Sequence, residues 1–536
     1  MKRKIMPFVI TIILGALLYY FMLPPINLSA PEFYPYALIV IVIYYISTEI
    51  NQLKLNENII LKLSKKKEHS KREYYWILSI PIIFAILILI NIVNSPFFNA
   101  KRYYNRISIK EDGVFEEDVS EVDFNSLPLL DKDSSQKLGD RVMGQMTELV
   151  SQFSVSNLYT QINYKNDIVR VTPLEYANAI KYFTNRKGGV KGYIILNSVN
   201  GKAELVKLDK GMKYMPSALF NENLQRKLRF NYPFEVFGKE KFEIDNNGNP
   251  YWIVPTIQYA GIGLRREVTG IVILNPITGE TTKYKVNEIP TWVDHVYPPE
   301  LILEQVNDWG KYKKGYINSV FGQKDVVVTT EGYNYTVMND DVYLYTGITS
   351  VASDESNVGF ILTNLRTKKT VFYSVAGAEE YSAMASAEGQ VQQMEYRATF
   401  PLLINLNNKP TYLLSLKDRA GLVKMYAFVD VVDYQKVVVS DAKEGIKTAA
   451  LNYLGNDERH VGESNVMTKD ITVSKIKTAL IDGISYYYFV DNLNDKYKVS
   501  IKVKPNVLPF VEEGQKINVS YHEERDIYTI LRINNY

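Results

Sequence analysis

Any chemistry in this chain has to come from acids, hydroxyls and four histidines, because it contains no cysteine. Thiol nucleophiles, disulfides and thiolate-held zinc or iron–sulfur centres are therefore excluded. The histidines, at 69, 295, 460 and 522, are scattered and form no metal-binding spacing. His295 in TWVDHVYPPE sits beside Asp294, just before a helical pattern. No nucleophile accompanies it, so it reads as a surface or capping histidine rather than a general base. Ser353 and Ser356 in SVASDESN lie near acids with no histidine close by, a poor setting for a nucleophile. Asp340, Asp341, Asp354 and Glu355 form two acidic pairs flanking VYLYTGITSV. Converging carboxylates would suit calcium, or acid–base work on envelope material. Their spacing is not that of an EF-hand loop, and solvated loop acids are the simpler reading. Neither a phosphate-cradling glycine loop nor G-x-S-x-G nor H-E-x-x-H occurs. No catalytic residue, metal ligand or cofactor is assigned, and the ligand-binding residues stay unknown.

The elements that would position such residues begin with a basic, apolar end. Residues 1–106 carry 13 Lys/Arg against 5 Asp/Glu, whereas the whole chain is close to neutral at +3. Three apolar runs lie there: Ile5–Leu23, Phe33–Ser47 and Tyr74–Val93. Crossing a hydrocarbon core of about 30 Å takes about 20 apolar residues, so residues 1–95 are expected to hold three transmembrane helices, near 5–23, 33–49 and 74–94. No cleavage site follows the first run; Pro24-Pro25 and another span do. The connection 50–73 holds Lys54, Lys62, Lys65, Lys66, Lys67, Lys71 and Arg72, while 24–32 holds no Lys or Arg. The positive-inside bias then places the N-terminus in the cytoplasm and everything after about Ser95 outside, with Lys101-Arg102 a mild violation. No ionisable residue sits within the spans, so they read as an anchor rather than a transport path.

Beyond the anchor, residues 96–133 are acidic and weakly periodic (EDGVFEEDVSEVD) and are expected to form a stalk. Ser134–Phe153 has helical spacing, and Thr172-Pro173-Leu174-Glu175 has the residues of a capped helix start, with Tyr176, Ile180 and Phe183 on one face. A hairpin pattern then recurs: GYIILNSVNGKAELVKL at 192–208, GIVILNPITGETTKYKV at 270–286, GFILTNLRTKKTVFYSV at 359–375 and a degenerate YAFVDVVDYQKVVV at 426–439. Asn197, Asn275 and Asn364 open the turns, and Gly201 and Gly279 stand where positive φ is common. Lys369 in the third copy lacks that freedom, which predicts another turn type. A strand–turn–strand element precedes three of them, at 237–254, 321–338 and 400–417. Helical segments are expected at Ser217–Arg229, Pro298–Tyr316, Glu379–Met394 and Asp441–Leu454. Small residues in 377–394 would let a helix approach a sheet closely or form a partner-docking face. Internal repetition of a helix-and-sheet unit is the reading.

A helix followed by a small antiparallel sheet ending in the ILNPITGETTKY pattern resembles the PepSY-type module of bacterial exported proteins. The match is best over Asn246–Val286, where NNGNPYWIVPTIQ precedes the hairpin, and it covers about one quarter of the chain. The resemblance implies a noncatalytic exported module and carries no active-site residues. The expected modules are 134–215, 216–297, 298–395 and 396–456. Residues 457–536 alternate apolar and polar over ITVSKIKTALI, SYYYFVD, YKVSIKV, KINVSYHE and IYTILRI, the pattern of a small OB-like β-barrel. Tyr486-Tyr487-Tyr488 reads as core packing rather than a base-stacking platform, and no nucleic acid is expected. The expected fold class is thus α+β: three membrane helices, tandem helix-plus-antiparallel-sheet modules and a barrel. The expected function is a noncatalytic scaffold or binding protein anchored at the outer face of a bacterial cell membrane. Its partners would be the membrane and a protein or envelope polymer outside, with oligomeric state not legible. An envelope-modifying enzyme using Asp340, Asp341 or Glu355, and a transport subunit, are the alternatives.

Overall fold

The computed structural model describes residues 2–53, 71–124, 127–338, 341–351, 353–454, 467–481, 484–524 and 527–535. The fold is mixed α+β and divides into two compact units, Met1–Gly113 with Pro128–Val375, and Val114–Leu127 with Ala376–Tyr536.

In the first unit, the helices Lys2–Met22 and Phe33–Leu53 carry apolar stretches of 18 and 19 residues, long enough to cross a membrane. The third apolar run forms the helix Lys71–Asn94. Its part 82–94 meets the same requirement only together with the helix Pro96–Tyr104, bent from it by 44°. Pro96 causes the break, since proline forces Ser95 into extended backbone (φ −68°, ψ 161°). Most of the basic connection, residues 54–70, lies outside the described residues.

Among the described residues the rest of this unit holds three sheets built on one antiparallel plan. In each, two short strands pair with the same long strand, and two more strands follow as a meander. The long strands are Asp167–Tyr176, Pro250–Gln258 and Asp341–Ser350. The helices Lys132–Gly144, Leu224–Asn231 and Pro299–Tyr312 precede the three sheets. The second unit repeats the plan around Pro410–Lys417, preceded by the helix Glu380–Gln390. That helix buries Ala383 and Ala387 and packs on the fourth sheet, so the division expected at 395/396 falls behind the helix that belongs with this sheet. Five strands of Met467–Asn535 close into a barrel around Val473, Phe489, Tyr497 and Val519.

The hairpin turns share one chemistry. The side-chain carbonyl of Asn197 accepts the N–H groups of Val199 and Asn200; Asn275 does the same for Ile277 and Thr278, and Asn364 for Arg366 and Thr367. Asp430 takes that role in the fourth copy, toward Val432 and Asp433. The different turn expected at Lys369 is not formed. Lys368 takes the left-handed position (φ 63°) that Gly201 and Gly279 hold elsewhere (φ 74° and 76°), at a cost of about 1–2 kcal/mol.

Two local expectations are corrected. Thr172–Glu175 opens no helix; it continues the strand Asp167–Tyr176, whose Ile168, Val169 and Val171 favour a buried sheet. The Thr172 hydroxyl donates to Ser156 O at 2.8 Å instead of capping. The helix begins at Ala179, capped by Asn178, and leaves Ile180 and Phe183 exposed while burying Tyr182. Nor is 96–133 a stalk. Ile109–Gly113 joins the third sheet in parallel with Thr370–Tyr373. In the second unit, Val122 N–H donates to Asn405 O and Phe124 packs edge-on against Phe428. The helix expected over Ser134–Phe153 breaks after Gly144, with Phe153 starting a strand.

Candidate functional site

Of the acids singled out by sequence, the structure describes the side chain of Asp341. Asp341 is buried and held by Arg366 (Nε at 2.6 Å, Nη2 at 2.7 Å) and by the Asn364 amide at 2.7 Å. A bidentate guanidinium–carboxylate pair of this kind fixes the third hairpin turn to the start of its neighbouring strand. Asp340 lies outside the described residues, as do the side chains of Ser353, Asp354, Glu355 and Ser356. Backbone register still separates Asp341 from the segment of the second pair: Ser350 faces Ser353 at one end of the strand, whereas Asp341 begins it at the other. Nine residue steps at about 3.3 Å make that separation roughly 30 Å, too far for one ion. Among the described residues no group of three or more His, Asp and Glu side chains is placed to hold a metal.

His295 is neither a surface nor a capping residue. Its ring is buried, donates from Nε2 to Gln161 O at 2.7 Å and meets Tyr335 edge-on. Burial drives its pKa down to about 3, with the charges of Lys241 and Arg170 acting in the same direction. Glu243, fully buried on the strand Lys241–Ile244, accepts the backbone N–H groups of Asp294 (2.9 Å) and His295 (3.0 Å). Asp294 in turn accepts Asn163 N–H at 2.8 Å. The carboxyl is thus spent on main chain, not on the imidazole, and no acid–base dyad forms. The node ties the first sheet, the second sheet and the chain leading into Pro299–Tyr312. Sequence reasoning missed it because the Glu243 carboxyl meets His295 only at its backbone N–H, 52 residues along the chain.

The most developed polar arrangement lies where the apolar helices meet the first unit. The last turn of Lys2–Met22 leaves carbonyls without helical partners, at the negative end of the helix dipole. Arg226 donates to Tyr20 O at 3.1 Å and stacks over the Tyr20 ring, and Arg229 donates to Leu23 O at 3.0 Å. The connection to the next helix is pinned by Ile26 N–H to Pro233 O, Asn27 to Phe234 O and Gly263 N–H to Ser29 O. On the third helix, the Asn91 amide donates to Ile262 O and its oxygen accepts Ile262 N–H, a two-way bond. Gly263 takes φ 71°, and a Cβ there would lie 2.5 Å from Pro31 Cγ, so only glycine lets this loop approach.

Just beyond the third helix, Arg106 is buried among Glu267 (3.1 Å), Glu304 (2.8 Å) and Asp308. Lys368 donates to Arg106 O at 2.7 Å, and Arg266 pairs with Glu304. Three cations thereby balance three carboxylates. This clamp binds both ends of the apolar region to two sheets. Its sequence signal is the glycine-spaced AGIGLRR at 260–266, in the loop between the strands Pro250–Gln258 and Glu267–Leu274.

In the second unit a cleft of about 340 Å³ opens between the helix Ile446–Leu454 and the barrel. Lys443, Glu444, Asn452, Lys498 and Arg532 line it, with Tyr486 beneath Lys498 at 4.5 Å from its ring centre. Tyr487 packs instead toward the barrel core, so these two tyrosines divide between core and cleft. With three cations to one carboxylate, the cleft favours an anionic group, and its charges carry no nucleophile–base pair. No family model and no curated protein matches the chain, so the reading of these sites rests on their own geometry.

Proposed function

We propose that this chain is a noncatalytic, membrane-anchored scaffold of the bacterial cell envelope, with its sheet units and barrel displayed outside the cell membrane. The observation that carries this reading is the clamp: arginine and asparagine side chains fasten the ends of apolar, uncharged helices to folded sheets. A flexible tether needs no such fastening, and a transport path needs polar groups within the spans. In this reading the helix Lys71–Asn94 supplies the third span, near 74–94, which turns the basic 50–73 connection to the cytoplasm. The common plan of four sheets supports the tandem PepSY-like reading. The cleft beside the barrel is the contact for an anionic envelope polymer, held by Lys443, Lys498 and Arg532.

Protease treatment of intact cells, following a C-terminal tag, tests the placement: the tag should be digested and the 50–73 connection protected. A protected tag would overturn it. Binding of dextran sulfate, but not neutral dextran, that weakens with salt and with Lys498→Ala should accompany the cleft assignment. Equal binding of both polymers would remove that part of the reading.

A further inference from the structure

We propose that two phenylalanine-rich wings of the first unit lie in the interfacial layer of the bilayer, so that its sheets rest on the lipid instead of standing clear of it. This rests on the membrane-anchor reading and goes beyond it, since a clamp needs no exposed apolar surface.

One wing is built around the end of the first helix. Phe230 is 52% exposed and packs against the rings of Tyr19 and Tyr20. Phe234, 65% exposed, belongs to the segment whose carbonyls receive Ile26 and Asn27. Phe220 is held by the same Arg226 that grips Tyr20, and Phe183 packs on Phe220. The other wing continues the third helix. Phe97 and Phe98 follow its bend, and Phe97 packs on Tyr316. Beside Tyr316, the turn Asn318–Gly322 carries Phe321, exposed to 81%.

Single exposed apolar side chains are ordinary on soluble proteins, whereas a group gathered at one structural feature marks what covers it. Here Phe230, Phe234, Phe97 and Phe98 lie on or touch the end of an apolar helix or the segment that continues it, and Phe183, Phe220 and Phe321 adjoin them through Arg226, Phe220 or the turn after Tyr316. Continuity with those ends commits the occupant: the boundary between phospholipid headgroups and acyl chains. Exposed Lys187 stands beside the first wing, next to Arg186, which pairs with Glu222, and Lys101 and Arg102 stand beside the second. Such residues reach phosphate while aromatic rings sit just below. The Lys101-Arg102 pair, anomalous by the positive-inside bias, thereby gains a role as a headgroup contact.

The absence of native cysteine makes single-cysteine reporters direct. The full chain, reconstituted in vesicles of mixed zwitterionic and anionic phospholipid, is labelled with an environment-sensitive fluorophore and quenched by lipid-borne nitroxide. Reporters at Phe183→Cys and Phe321→Cys should lose several-fold more fluorescence than one at Asn247→Cys. Asn247 precedes the strand Pro250–Gln258, whose other end leads into the clamp, about 30 Å away. Leu17→Cys, within the first helix, calibrates the anchor. Quenching at Leu17→Cys with Phe183→Cys and Phe321→Cys no different from Asn247→Cys would overturn the wings and leave the anchor standing. Absence of quenching at Leu17→Cys would overturn the anchor reading itself.

Discussion

Replacing Glu243 with glutamine should change how stability depends on pH, in a direction the structure fixes. Burial raises the Glu243 carboxyl from 4.5 to about 7, against the pull of two backbone N–H donors and Lys241. The buried imidazole of His295 moves the other way, from 6.5 to about 3. A carboxyl with a raised folded pKa keeps its proton in the native state. Its contribution is complete below pH 4.5 and is lost as pH rises through about 7. A histidine with a depressed folded pKa contributes fully above 6.5 and loses that as pH falls toward about 3. Between these ordinary values, each slope is about 1.4 kcal/mol per pH unit and the two oppose, so the wild-type node is nearly flat.

Glu243→Gln removes only the falling slope. From pH 4.5 to 6.5 the variant should gain roughly 3 kcal/mol relative to wild type. It starts from a deficit of about 1–3 kcal/mol, because a buried amide NH2 must find acceptors where a neutral acid offered one O–H. Urea unfolding of the full chain in detergent reads this directly, since Trp252, fully buried against Phe242, reports on the adjoining strand. A gap between wild type and variant that stays constant across the window would refute the reasoning. It would mean that the two backbone N–H donors and Lys241 outweigh burial and keep Glu243 ionised.

Asp341→Asn should lower stability by about 2 kcal/mol, because Arg366 loses its bidentate partner, and thermal unfolding checks it. Unchanged stability would return Asp341 to the pool of candidate functional acids. Arg229→Met should cost about 1.5–3 kcal/mol for the charged donor removed from Leu23 O and Glu235 O. Hydrogen exchange should then quicken at Ile26, whose N–H is bonded to Pro233 O. Gly263→Val should cost about 2–3 kcal/mol, since a β-branched residue at φ 71° meets Pro31. Its local signature is faster proteolysis of the 24–32 connection.

Features set by near neighbours were legible in the sequence. The apolar runs became helices, because a helix satisfies its own backbone wherever it lies. The recurring hairpins formed at 192–208, 270–286, 359–375 and 426–439, because Asn or Asp side chains close each turn within three residues. Alternation over 467–535 gave the strands of the barrel, while its closure pairs Met467–Thr472 with Lys516–Tyr521, far away in the chain. The local signals failed where distant chain decided the outcome. Thr172–Glu175 has the residues of a helix start, yet its flanking strands at 160–164 and 190–197 supply hydrogen bonds a short helix could not match. His295 is buried by Gln161, 134 residues away, and Arg106 is neutralised by partners 161 to 202 residues away. Composition and periodicity therefore determined which segments are apolar helix, hairpin and barrel. Only the tertiary structure decided which charges are spent on one another and which phenylalanines stay outside, because both depend on partners that local pattern does not encode.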